Sequence, residues 1–578
     1  MKNPRLQLAV RVLLIVCLVP TSGPWAGEPS PEKSSDLLLS ILQQELQRAT
    51  KELSKSDPAP YFLSYSVFDQ DWMAVAGSYG GIVTSVSGRH RSVDVSMRVG
   101  TSALDNTHNE NRTSGISSSA LPLGEDRDAI ARALWQLTNR EYRQASAAYL
   151  NVKTSAVVRT EEEDKSPDFS EEAPQKRVDN AYLAAPVDQK VWEEKIRRYS
   201  SYFRNYADVY NSTVTFQAQK TRFYFVSSEG SGIVTPSALV RLVIQAETLA
   251  EDGMELFRVE SFQATAPNEL PADEEILSRI VKMAADLKVL RAAPVAEPFA
   301  GPALLSGKAA AVFFHEVLGH RLEGHRQRDE QEGQTFTKKV NQQVLPEFLS
   351  VVDDPTRREL GGVKLGGWYE YDNEGVAAGR VEVINGGVLK SFLMSRMPVK
   401  DFGQSNGHGR AQPGFMPTGR QGNLIVTSSK TTKDSELRQK LIEEVKRQGK
   451  PHGLYFEDVQ GGFTLTTRFL PQAFQVLPVM VWRVYPDGRP DELVRGVDIV
   501  GTPLAALSRI VLTGDTTQVF NGICGAESGS VPVAAAAPAM LFSEVEVQKR
   551  AHSRTRPPIL PPPGLESSPP GSPAGARP

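Results

Sequence analysis

The stretch SGKAAAVFFHEVLGH, from Ser306 to His320, constrains the fold of this chain more than any other. Its Ala, Val and Phe residues suit a helix that Ser306 can cap, and so apolar a helix has to be buried on most sides. Yet it carries His315, Glu316 and His320 into that interior, where charge is costly unless paired or bound to a metal. On a regular helix, residues four apart lie about 40° apart around the axis and residues five apart about 140°. His315 and His320 therefore cannot reach one ion from an unbroken helix. The helix must end or bulge between them, and Gly319 is placed for either. Two readings stay open on these residues alone. One is a core helix with hydrogen-bonded histidines. The other is a zinc site, in which neutral imidazoles are ligands and Glu316, next to the first, takes a proton from a water.

His325 continues the series five residues on. Strongly polar sequence follows it, so a solvent-exposed side chain outside any site is expected.

With 578 residues the chain is too long for one core. After residue 30, SSDLLLSILQQELQRATKELSKSDP reads as a helix capped at Ser35 or Asp36 and stopped by Pro58. The segments YFLSYSVFD, GGIVTSVSG and RSVDVSMRVG alternate as antiparallel strands do. A long helix follows from about 126 to 150, and then the acidic, linker-like EEEDKSPDFSEEAPQ. A further helix, more strands and the helical ADEEILSRIVKMAADLKVLRAA lead to Pro294 and Pro298, which mark a boundary near residue 293. The expected organisation is an α+β chain: an α/β domain over 30–293, a strand-rich domain over 294–550, and a disordered Pro-rich tail over 551–578. His108, in a polar loop, is given no role.

The first residues, MKNPRLQLAVRVLLIVCLVP, have a basic start and a short apolar run, followed by Ala26 and Gly27. That layout predicts a cleavable export signal over 1–26 and an exported, periplasmic or secreted product. No later segment has the roughly 20 apolar residues of a membrane span, so no stable membrane insertion is expected. A net charge of −3 gives no electrostatic reason to expect nucleic acid. Of the two cysteines, Cys17 falls within the signal, leaving Cys524 as the one mature thiol. A lone exported cysteine is either buried and inert, or committed as a ligand, nucleophile or intermolecular bridge.

The stretch EPFAGPALLSGKAAAVFFHEVLGHRLEGH resembles the motif region of the TldD/PmbA metallopeptidases, whose active subunits carry H-E-x-x-x-H. VVDDPT, YDNEGVAAGRVEVINGGVLKSFLMSR, NGHGRAQPGFMPTGRQGN, GLYFEDVQGG and NGICGAESGSVPVAAAAPAMLFSEVEV agree in the same order, over about 295–547. The resemblance implies the family's two-domain architecture and a Zn2+ ion held by His315, His320 and Cys524, with Glu316 as the catalytic residue. It implies hydrolysis of extended or unstructured peptides, and a homodimer or a heterodimer with a PmbA-like paralogue. His408 and Arg410, in the Gly-rich segment 406–423, are candidates to meet a peptide carbonyl or carboxylate, unless that loop merely positions polar groups. The sequence departs from the family at His325, where an acidic residue is usual, and in GGFTLTTRFLPQAFQVLPVMVWRV. The rival reading is a non-catalytic peptide-binding or partner subunit; the family's such subunits lack the metal motif, which is retained here.

Overall fold

A computed structural model of the chain describes residues 36–108, 116–156, 164–179, 187–329, 331–469, 473–550 and 560. The expected export signal, and all but one residue of the expected Pro-rich tail, lie outside the described residues. Among the described residues no helix is long and apolar enough to cross a membrane.

The chain folds as two mixed domains, each built on a sheet. The first opens with α1 (Leu37–Leu53), where Asp36 accepts the Leu39 N–H at 3.1 Å as a cap. Two long strands follow, β1 (Pro60–Ser78) and β2 (Gly81–Thr101). The reversal between them uses Tyr79 and Gly80, both at positive φ, the backbone that a two-residue hairpin turn needs. Next come α2 (Arg127–Ala156) and α3 (Gln189–Ser201), then β3 (Asn211–Ser227), β4 (Gly232–Leu249), β5 (Glu255–Ala264) and α4 (Asp273–Ala292). The long strands stand in the order β2-β1-β3-β4-β5, all antiparallel.

Alternation along β1 decides which face is covered. Leu63, Tyr65 and Val67 pack with α1 and α2, while Met73 and Val75, in the same register, pack with α3 and α4. All four helices therefore cover one face of this sheet. The other face turns towards the second domain.

The acidic run expected to be a linker is packed where it is described. Asp168 is buried beside His108, with Nδ1 at 2.8 Å, and the Ser170 N–H donates to the Arg396 carbonyl. Two arginines of other segments, Arg328 and Arg98, bond to carbonyls in this run, which gives its backbone the partners a solvated linker would lack.

The second domain begins with β6 (Phe299–Leu305) and α5 (Gly307–Val317). It continues with β7 (Asn423–Ser428), α6 (Asp434–Arg447), β8 (Gly453–Thr464), β9 (Phe474–Val484), β10 (Val497–Gly501), β11 (Ile510–Ala526) and β12 (Gly529–Lys549). β12 pairs with both β10 and β6, so β12-β10-β9-β8-β6 closes into a ring. α5 packs against this ring: Phe313 meets the rings of Phe474 in β9 and Phe542 in β12 at 5.4 and 5.2 Å. Every α5 residue except Lys308 is buried, as its near-continuous apolar sequence requires.

Candidate metal centre

Ser306 caps α5 by accepting the Ala309 N–H at 3.1 Å, and the helix stops at Val317. A 3-10 turn then runs from Gly319 to Leu322. This break turns His320 back towards His315, with ring centroids 4.9 Å apart. Arg321 secures the helix end, donating to the Glu316 and Val317 carbonyls and to Thr464 and Leu465 at the end of β8. Carbonyls left free at a helix C-terminus need such donors.

Cys524 arrives from β11, paired with Val531 across the turn into β12. Its Sγ lies 3.3 Å from His320 Nε2. One ligand atom each from His315, His320 and Cys524 falls within 4.8 Å of the others, and all three residues are buried. A metal ion could be held between them. Burial alone would raise the Cys524 thiol, but the two imidazoles outweigh it and hold its pKa well below the ordinary value. Burial would likewise lower His320; Cys524 and Glu323 prevail and raise it.

Glu316 follows His315 on the helix, and its Oε2 lies 4.0 Å from His320 Nε2. Burial pushes this carboxyl up despite the imidazoles beside it. Its alkyl stem rests against Gly462 of β8, where a Cβ would come within 2.6 Å of Glu316 Cγ. The glycine leaves the space that the glutamate fills.

Beyond the three candidate ligands lies a buried charge network that the motif did not announce. On a 3-10 turn, side chains three apart nearly eclipse, and Glu323 accordingly places Oε1 3.2 Å from His320 Nδ1. Arg326 and Arg420 hold Glu323 in turn, at 2.8 and 3.3 Å. Together with His320 they overcome burial and bring its pKa down to about 2. Arg420 also donates to the Cys524 carbonyl at 2.9 Å, and Gln421 reaches the His315 carbonyl at 3.4 Å. The only sequence signal for Glu323 was its place three residues after His320.

Three expectations are corrected here. His325 is buried, not solvent-exposed: it pairs with Glu527, which Arg326 also binds at 2.7 Å. Glu323, His325 and Glu527 lie close enough to suggest a second ion. The Arg326 guanidinium, bridging both carboxylates, already supplies that positive charge. His408 is fully buried, bracketed by Asn406 and by Asp353 at 3.2 Å, so it does not face a substrate. Arg410 is buried under the Tyr369 ring and donates to the Gln421 and Pro532 carbonyls. Both residues brace the Gly-rich segment that presents Arg420 and Gln421.

Residues 300–549 match the family model for the PmbA/TldA metallopeptidase C-terminal domain. A metalloprotease of Archaeoglobus fulgidus is 29% identical over 239 residues, 41% of this chain and 51% of that protein. One of Methanothermobacter thermautotrophicus is 28% identical over 331 residues, 56% and 67% of the two chains. A metalloprotease TldD homolog of Haemophilus influenzae is 28% identical over 252 residues, 43% of this chain and 48% of that one. The first and third matches thus span about half of the relative's length. In fold the likeness is nearly chain-wide. TldE from Thermococcus kodakarensis superposes with a TM-score of 0.57 at 11% identity, over 88% of this chain and 100% of that one. A putative modulator of a DNA gyrase from Thermotoga maritima gives 0.58 at 15% identity, over 87% and 99%. With residues 300–549 matched to the family model and its relatives named as metalloproteases, the chain carries the C-terminal domain of the PmbA/TldA metallopeptidases.

Proposed function

We propose that the protein is an exported zinc-dependent peptidase that hydrolyses extended or unstructured peptides. The observation that carries this reading is the meeting of His315, His320 and Cys524 at one buried point, with Glu316 beside them. Two imidazoles and a thiolate make a borderline-soft donor set, which suits zinc, and three protein ligands leave a fourth position open. Bound there, zinc would supply Lewis acidity, polarising the scissile carbonyl and making a water acidic enough to attack at neutral pH. The protein's own work falls to Glu316. Its burial-raised pKa suits a group that accepts the water's proton and passes it to the leaving amine. Glu323 keeps the His320 ring in the orientation that turns Nε2 towards Cys524.

Export rests on the basic and apolar opening of the sequence. The likeness to TldE supports assembly with a second copy or a PmbA-like paralogue. A partner subunit without catalysis would not need the complete set of His315, Glu316, His320 and Cys524.

Elemental analysis together with a peptide-cleavage assay tests the reading. Roughly one zinc per chain is expected, lost in His320→Ala, with cleavage that disappears in Glu316→Gln. A well-folded protein that takes up no metal overturns the proposal.

A further inference from the structure

The helix that carries His315 ends by an exchange of partners. In a continued helix the carbonyls of residues 314 to 317 would take the N–H groups of residues 318 to 321. Leu318 still reaches the Phe314 carbonyl at 3.0 Å. The Glu316 and Val317 carbonyls take the Arg321 guanidinium instead, at 3.0 and 3.2 Å. Between them stands the His315 carbonyl, and its donor is Nε2 of Gln421, at 3.4 Å. A residue 106 positions along the chain thus supplies the bond that the next turn of helix would have made.

The same carboxamide fills the place of a side chain at 319. That position follows His315 by four residues, so on a helix it shares the face of His315. A Cβ there would stand 1.9 Å from Gln421 Oε1 and 2.2 Å from its Cδ. Gly319 is not at positive φ, so glycine is needed here for space and not for backbone freedom. The His315 carbonyl can only accept, which turns Nε2 towards it and leaves Oε1 at the break. Gln421 is 1% exposed, and its Oε1 has no hydrogen-bond partner among the described residues. An orphaned oxygen in the interior costs free energy that an apolar side chain of the same size would avoid. Packing alone does not account for a glutamine here.

The backbone around the amide is held on both sides. Arg410 Nη1 donates to the Gln421 carbonyl at 2.5 Å, and the Gly422 and Asn423 N–H groups both donate to Asp353 at 3.0 Å. Arg420, the residue before, donates to the Cys524 carbonyl at 2.9 Å and pairs with Glu323, which faces His320. Two consecutive residues therefore reach the supports of all three candidate ligands. Gln421 serves His315, and Arg420 serves His320 and Cys524.

We propose that Gln421 is a positioning residue of the metal centre. Its carboxamide replaces the next turn of α5 and holds the break that brings His320 back to His315. The inference rests on the reading of His315, His320 and Cys524 as metal ligands.

Cobalt binding to the full chain tests this, followed by visible absorption and by competition with a chromogenic chelator. Gln421→Met fills the same space without a donor. It is expected to bind cobalt at least about tenfold more weakly, with altered ligand-field bands, because His315 is no longer held in place. The metal-free variant should unfold at the wild-type temperature, since it exchanges one orphaned group, Oε1, for another, the His315 carbonyl. Gly319→Ala drives a methyl into the carboxamide and should alter the bands in the same way. If that variant fails to fold, Gln421→Met decides the matter alone. Wild-type affinity and bands in either folded variant overturn the proposal. A Gln421→Met protein that loses stability and cobalt affinity together also overturns it, because the amide is then merely structural. Cobalt binding by the wild type that Cys524→Ser weakens secures the ligand reading independently. A wild type that binds no cobalt removes that reading, and this inference with it.

Discussion

Glu323 Oε1 lies 3.2 Å from His320 Nδ1, on the side of the ring opposite the nitrogen that faces Cys524. The carboxylate thus stands against the imidazole nitrogen turned away from Cys524 and leaves Nε2 on the side of the candidate metal centre. Arg326 and Arg420 hold that carboxylate in place. Glu323→Ala is expected to weaken metal binding by roughly 10–100-fold, measured by competition with a chromogenic chelator. Glu323→Gln, which keeps an acceptor oxygen, should lose less. Unchanged affinity in the alanine variant would show that the contact does not orient the ligand.

A second expectation concerns Gly462. An added Cβ would stand 2.6 Å from Glu316 Cγ and 2.8 Å from the Gln475 carbonyl oxygen. The carbonyl belongs to a paired strand and cannot easily retreat, so Glu316 has to move. Misplacing a reacting group by about 1 Å can cost roughly 10²-fold in rate. Gly462→Ala should therefore cut peptide turnover by about that factor with metal content unchanged. Full turnover in this variant would argue against Glu316 as the group that handles the proton.

How far the sequence reached can be traced through these residues. The five-residue spacing of His315 and His320 demanded a broken helix, and the structure breaks it after Val317. Alternation in β1 and β2 and the caps of α1 were local signals, which survive in any context. What the sequence did not yield depends on partners distant in the chain. His325 looked exposed because its neighbours are polar, but Glu527, some 200 residues on, supplies the charge that allows its burial. His408 and Arg410 looked available because they sit among glycines. Asp353 and two backbone carbonyls engage them instead. The acidic run around Asp168 read as a linker for the same reason: the arginines that bind it come from other segments.

The contact between the domains has a pH dependence of its own. Asp458 of β8 accepts from Arg258 of β5 at 2.5 Å and from Lys308 at 2.8 Å. Burial would raise its pKa, but the two cations prevail and hold it below the ordinary carboxylate value. A folded-state pKa below the unfolded one gives stability that is present above the unfolded value and is lost as pH falls through the folded one. The loss is expected below about pH 4, the ordinary aspartate range. Asp458→Asn takes the carboxylate from Lys308 and leaves Arg258 with Asp286 and Glu260, so it should cost less than the roughly 3–5 kcal/mol of a fully broken buried pair at pH 7, with a shallower acid limb in urea unfolding. Identical acid limbs for the variant and the wild type would remove Asp458 as the source.

Cys524 joins the histidine helix to a strand some 200 residues later, and its chemistry discriminates between metal ligand and inert core thiol. The side chain is 7% exposed, with Sγ 3.3 Å from His320 Nε2. In metal-loaded protein coordination lowers the sulfur's nucleophilicity and thiol reagents should label it slowly. Chelation frees a thiolate beside two imidazoles, and labelling should accelerate at least about tenfold. Cys524→Ser replaces a charged soft donor with a neutral hydroxyl and is expected to weaken metal binding. A thiol protected by burial alone gives a different pattern, because its slow labelling would be the same before and after chelation. Mass spectrometry of protein quenched at intervals, with metal content measured in parallel, separates the two. Rapid labelling of fully loaded protein would exclude Cys524 as a ligand, since coordination draws electron density from the sulfur and shields it from the reagent.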